Sequence, residues 1–121
     1  MNDENMEQAI KAAGADIAPR ITPADIEANI VSEHYFTAAD GASRSVNGGM
    51  HDYGNEPAAL KLLTFCVLVL RNGFTVTGES ACASPANFNA EIGRKVARAN
   101  AVQKVWPLMG YELRSKLAGA A

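Results

Sequence analysis

Cysteine is scarce in this sequence: Cys66 and Cys82 are the only two in 121 residues. Two thiols do not make a disulfide framework, and their lack of pattern fits a reducing compartment. Long apolar runs are missing as well. The longest, Leu62 to Leu70, is broken by Thr64 and falls far short of the ~20 residues that a membrane helix needs. The N-terminus has no basic stretch leading into an apolar core, so no secretory signal is expected and the chain reads as cytosolic. Among Cys66, Cys82, His34 and His51, no pair has the close spacing of a structural zinc site. No internal repeat stands out. A strong basic excess is absent too: the net charge is −2 and the pI about 5.6, which argues against a nucleic-acid-binding domain.

The length of 121 residues fits one domain, and 48% hydrophobic with 20% charged residues is ordinary globular composition. The small net charge hides an asymmetry. Residues 1–60 carry ten acids against three bases, or −7, while residues 61–121 carry three acids against eight bases, or +5. Either the halves neutralise each other, or the second half meets an anionic partner.

Residues 1–20 are polar and alanine-rich, so they are expected to form a flexible terminus ahead of a single domain over 21–121. Thr22-Pro23-Ala24-Asp25 is a helix start. The threonine can cap free backbone N–H groups, the proline suits the first helical position, and the aspartate favours the positive end of the dipole. This helix is expected to run to about Glu33, with Ile26, Ile30 and Val31 inward, followed by a short strand at His34 to Thr37. Asp40 to Glu56 has no periodicity and reads as a long loop, either functional or disordered.

Asn72-Gly73 lies between two apolar, β-branched runs, the pattern of a two-residue type I′ hairpin. That register sets Val69 opposite Val76 and leaves Cys66, Leu68 and Leu70 as a second apolar face that needs cover, another helix or a second subunit. The rival reading is a buried helix ending at a glycine cap. Ser84-Pro85 repeats the capping logic, and the next helix is expected to bury Phe88, Ile92, Val96, Ala99 and Val102 or Gln103. Trp106-Pro107 should stop it, with a last helix over Leu108 to Leu117. The expected fold is α+β: a small antiparallel sheet around the Asn72-Gly73 hairpin, packed with an N-terminal helix and two C-terminal helices.

Several stretches carry a resemblance: EHYFTAADG, NGFTVTGESAC, SPANFNAEIGRKVARANA and KVWPLMGYELRSKL. Together they resemble the small phage protein family named after gene product forty-nine of phage N-four and gene sixty-six of phage Sf-six, over roughly residues 22–117. The resemblance implies a phage or prophage origin, an accessory gene and action in the host cytoplasm. It brings no catalytic residues with it. By class analogy alone, small phage proteins include sponges that sequester nucleotide immune signals.

Catalysis finds little support in the residues. Gly78-Glu79-Ser80-Ala81-Cys82 departs from a nucleophile elbow at its fifth position. Glu79, Glu91 and Asp52 show no pairing in sequence. The chain is therefore expected to be non-enzymatic, with no cofactor and no metal. Arg94 and Arg98 stand one helical turn apart, and two guanidinium forks at that spacing can grip phosphates. The bland reading is a solvated face with a Glu91–Lys95 pair. The expected ligand-binding set is Arg94 and Arg98 on the phosphates, Arg44 and Tyr53 from the 40–56 loop closing over the ligand, and Trp106 or Tyr111 as a stacking wall. The expected partner is a small phosphate-bearing ligand or a host protein, with a homo-oligomer expected from the second apolar face, and with neither nucleic acid nor membrane.

Overall fold

Residues 3–44 and 57–119 are described by a computed structural model of the chain. Helix α1 spans Asp3–Ala12, α2 Pro23–Asn29, strand β1 Ile30–Thr37, and α3 Ala38–Arg44. A 3-10 turn at Ala58–Leu62 leads into β2, Leu63–Leu70. Strand β3, Thr75–Ala81, follows, and after a second 3-10 turn α4 runs over Ala90–Leu117. The strands form one antiparallel sheet in the order β1-β2-β3. The α+β class expected from the sequence is therefore what the chain adopts.

The start of α2 follows its sequence signal. Thr22 Oγ1 accepts from the Asp25 amide at 3.2 Å, and the Asp25 carboxylate accepts from the Thr22 amide at 2.9 Å. This reciprocal capping box satisfies two N–H groups that the first turn leaves unpaired. The helix stops at Asn29, earlier than expected, because the β-branched run Ile30-Val31 continues into β1. Thr37 and Asp40 repeat the same box at α3, at 2.9 and 3.1 Å. The segment read as loop from Asp40 thus begins as helix. Its signal was present: Thr37-Ala38-Ala39-Asp40 copies the spacing of Thr22-Pro23-Ala24-Asp25.

The hairpin exists, but its register is one residue from expectation. Val69 pairs with Thr75 and Leu68 with Val76. The turn holds three residues, Arg71 to Gly73. Gly73 N donates to Leu70 O at 2.9 Å, Asn72 Oδ1 accepts from Phe74 N at 2.9 Å, and of these residues only Gly73 has positive φ, +88°. A type I′ turn would need positive φ at Asn72 too, whereas this turn confines the strain to glycine. The shift sends Val76 and Gly78 to the face of Cys66, Leu68 and Leu70.

That face is the core. Leu68 and Cys66 are fully buried beneath α4, whose Ala97, Ala101 and Val105 are equally buried. Burying one such leucine contributes roughly 1.5–3 kcal/mol. The expectation that this face seeks a second subunit loses its motive, since one chain covers it. The expected helix stripe is also corrected. Ile92 and Val96 are exposed at 59% and 42%, while the inward line is Gly93, Ala97 and Ala101. Close approach decides this: a Cβ at Gly78 of β3 would collide with the backbone of Ala97 and Ala101. Only small residues let the helix backbone lie directly on the strand.

Two further helix boundaries differ from expectation. Ser84 makes no side-chain cap, and Pro85–Asn87 is only a 3-10 turn; the N-cap of α4 is Asn89, whose Oδ1 accepts from Ile92 N at 3.0 Å. Pro107 sits inside α4 rather than ending it, so one helix replaces the expected two. Losing that backbone bond costs about 3 kcal/mol. Core contacts on both sides of the proline, from Val105, Trp106 and Met109, offset it. Helix α1 has no buried residue and is tied down by the Glu7–Arg20 ion pair.

Candidate functional site

Arg94 and Arg98 both project from α4, one turn apart, yet their surroundings differ. Arg98 is largely covered, and each of its three guanidinium nitrogens donates to a carboxylate. Nε donates to Glu33 of β1 at 2.9 Å, while Nη1 and Nη2 donate to the two carboxylate oxygens of Glu27 in α2 at 3.1 and 2.7 Å. Tyr35 adds its hydroxyl to Glu33 at 3.1 Å. The bonds from Arg98 hold Glu33 below the usual carboxylate range and raise the guanidinium further. Burial, with Cys66 and Glu33 beside it, pushes Tyr35 up to about 12. This network bolts α4 to β1 and α2, so Arg98 serves the fold.

Arg94 is exposed and has no ion-pair partner among the described residues. It borders a cavity of about 120 Å³ where the N-terminal end of α4 meets the sheet. From β1 the cavity takes Tyr35, Phe36 and Thr37, and from α3 it takes Asp40. Thr64 of β2 forms part of the wall, with Phe88 and Ala90 at the start of α4. Thr64 is 3% exposed, and its hydroxyl is the one buried side-chain polar atom without a hydrogen-bond partner among the described residues. Such an orphan is costly, by about 1–3 kcal/mol. Beside Thr64, α4 presents Gly93. A Cβ at Gly93 would stand 3.0 Å from Thr64 Oγ1 and 3.9 Å from the Phe88 ring. The positive end of the α4 dipole lies at the same place.

The other expected site residues are not gathered here. Trp106 is half-buried against the core and borders a separate cavity of about 220 Å³ with Met6, Ile10 and Ile21. Twelve residues along a helix place it ~18 Å from Arg94. Tyr111 is 78% exposed and farther still along α4. Arg44 ends α3, and Tyr53 lies outside the described residues, as do His51 and Asp52. Thr64, Asp40 and Phe88 are the residues that sequence reading missed. Thr64 carried a signal, being the one polar residue inside the apolar run of β2.

For the remaining chemistry, Glu91 pairs with Lys95 at 3.4 Å, as the bland reading of that helix face anticipated. His34 bonds Ser32 at 3.1 Å, and both cysteines are free. No cluster of three metal-ligating side chains occurs among the described residues. Ser80 lies within β3 opposite Thr64, so no strand-to-helix elbow forms around it. No helix among the described residues is long and apolar enough to cross a membrane.

Fold and cavity together define a small α+β protein with one helix laid across a three-stranded sheet and a niche at that helix's N-terminal end. The chain belongs to the phage protein (N4 Gp49/phage Sf6 gene 66) family, whose profile matches residues 21–117. No curated protein and no solved structure matches it.

Proposed function

We propose that this phage-family protein is a non-enzymatic accessory that captures a small phosphate-bearing ligand of nucleotide type at the Arg94 cavity. In an infected cell, sequestering such a signal would serve counter-defence. The observation that carries the reading is the state of Arg94: an exposed guanidinium without an ion-pair partner among the described residues, next to a cavity and near the positive end of a 28-residue helix. A free cation in that setting favours an anionic ligand. The phosphate grip expected from two arginines reduces to one, because Arg98 is engaged by Glu27 and Glu33. The ligand is expected to leave chemically unchanged, since no nucleophile and base are paired at the cavity among the described residues.

Calorimetry of the purified protein against cyclic oligonucleotides and cyclic ADP-ribose isomers tests the reading. One charge-assisted contact contributes about 1.5–3 kcal/mol, so Arg94→Ala is expected to weaken binding by a factor of roughly 10 to 100. Binding by none of these compounds would remove the reading. A second reading, a surface for a host protein, is favoured by one observation. Ile92 and Val96 form an exposed apolar pair on the flank of α4 that Asn100 holds to β3 by donating to Glu79 O at 2.8 Å.

A further inference from the structure

The cavity beside Arg94 has its own chemistry, and it differs from that of a phosphate seat. Asp40 contributes a carboxylate to the wall. Its Oδ2 is used by the Thr37 amide at 2.9 Å, but nothing among the described residues donates to Oδ1. A carboxylate opposes a second anion in the same small space. Asp40 and Arg94 together therefore present one acceptor and one donor set with no net charge. Thr64 adds a hydroxyl, buried and unpartnered, that can give or take a hydrogen bond. The Phe88 ring beside Gly93 and Thr64 adds an aromatic surface.

Size narrows the choice further. A volume of about 120 Å³ lies well below the roughly 300–1,000 Å³ of sites that enclose a whole ligand. A flat heterocyclic base suits such a space; a whole nucleotide with its sugar and phosphates does not.

We infer that this cavity seats the uncharged heterocyclic base of a nucleotide, with Thr64 and Asp40 reading its edge, while the phosphate stays outside at Arg94. The inference rests on the capture reading above and adds to it which end of the ligand enters. A purine suits the wall, because it carries hydrogen-bond acceptors for Thr64 and Arg94 and an N–H donor for Asp40. Its π-face can lie on the Phe88 ring.

The test is calorimetry of the intact chain with adenosine, guanosine, their 5′-monophosphates and ribose 5-phosphate. At least one nucleoside is expected to bind, and ribose 5-phosphate to bind its nucleotide's site at least about tenfold more weakly. Thr64→Val keeps the shape of the side chain and removes the hydroxyl. It is expected to weaken the nucleoside about tenfold or more while thermal melting is unchanged or rises, since the orphan is gone. Phe88→Leu provides a second probe should the valine variant fail to fold, with the same expected loss of nucleoside. If ribose 5-phosphate binds as tightly as the nucleotides and neither variant alters affinity, the base inference is overturned and the capture reading stands. If none of these probes binds, nor any cyclic nucleotide, both are overturned.

Discussion

Two stretches of the interface between α4 and the sheet lie one helical turn apart and are built on opposite principles. Around Ala97, Arg98 and Ala101 the interface is closed. Gly78 lets the helix backbone rest on β3, and Arg98 spends its donors on Glu27 and Glu33. Around Ala90, Gly93 and Arg94 it stays open, with a cavity and, among the described residues, no partner for a buried hydroxyl or for the Arg94 guanidinium. In both places glycine removes a side chain from the interface. In the first, backbone fills the space; in the second, the Thr64 side chain does, with its hydroxyl unpartnered among the described residues. Polar groups that a fold leaves unsatisfied beside a covered, well-paired neighbour point to a role other than stability.

The largest expected effect breaks the closed stretch. Gly78→Val drives a branched side chain into the backbone of Ala97 and Ala101. It should cost about 4 kcal/mol or more, or abolish folding, as read by urea denaturation. A valine tolerated at native stability would mean that the helix does not lie on β3 as described.

Arg98→Met comes next. It keeps most of the apolar stem but leaves Glu27 and Glu33 uncompensated, at a cost of roughly 1–3 kcal/mol. It should also change the response to acid. Glu33 has a folded value below its ordinary 4.5, so its contribution is present above that pH and is lost as pH falls through the folded value. Removing Arg98 should therefore flatten the loss of stability below about pH 4.5. Equal acid sensitivity in the variant would contradict the assignment. At the alkaline end the sign reverses. Tyr35 favours its protonated form up to about 12 in the folded chain against 10.0 ordinarily, so stability should fall between those values. Tyr35→Phe should remove that fall.

Gly93→Ala, in the open stretch, should change stability by only about 1 kcal/mol in either direction. Better helix propensity is set against a Cβ placed 3.0 Å from the Thr64 hydroxyl. Its effect should appear in ligand affinity, because the methyl group presses on the Thr64 hydroxyl that lines the cavity. The contrast between Gly78 and Gly93 is the sharpest stability comparison that the interface offers.

What could be read from the sequence followed the range of the interactions involved. Capping chemistry is local, so Thr22-Pro23-Ala24-Asp25 announced α2 correctly, and the same spacing at Thr37 could have announced α3. Apolar β-branched content marked the strands on both sides of Asn72-Gly73. The register escaped, because a three-residue turn with strain only at Gly73 differs from a two-residue turn by one position. That one step exchanged the two faces of β3. In the stripe of α4, Val102 is buried as expected, but close packing over Gly78 selects the small residues Gly93, Ala97 and Ala101 in place of the bulkier Ile92 and Val96. For the site, Arg94 was legible as a cation on a helix face. That Arg98 is neutralised, and that Thr64 is orphaned, depends on tertiary neighbours 65, 71 and 29 residues away in sequence.

The most direct test of the division between the two stretches is a pair of calorimetric titrations, Arg94→Ala against the unaltered chain, with cyclic ADP-ribose isomers and cyclic oligonucleotides as titrants and a melting curve for each protein. The account predicts melting curves that coincide and an affinity for at least one titrant that falls by a factor of roughly 10 to 100 in the variant. Equal affinities in the two proteins, or a variant that melts as low as Arg98→Met, would contradict it.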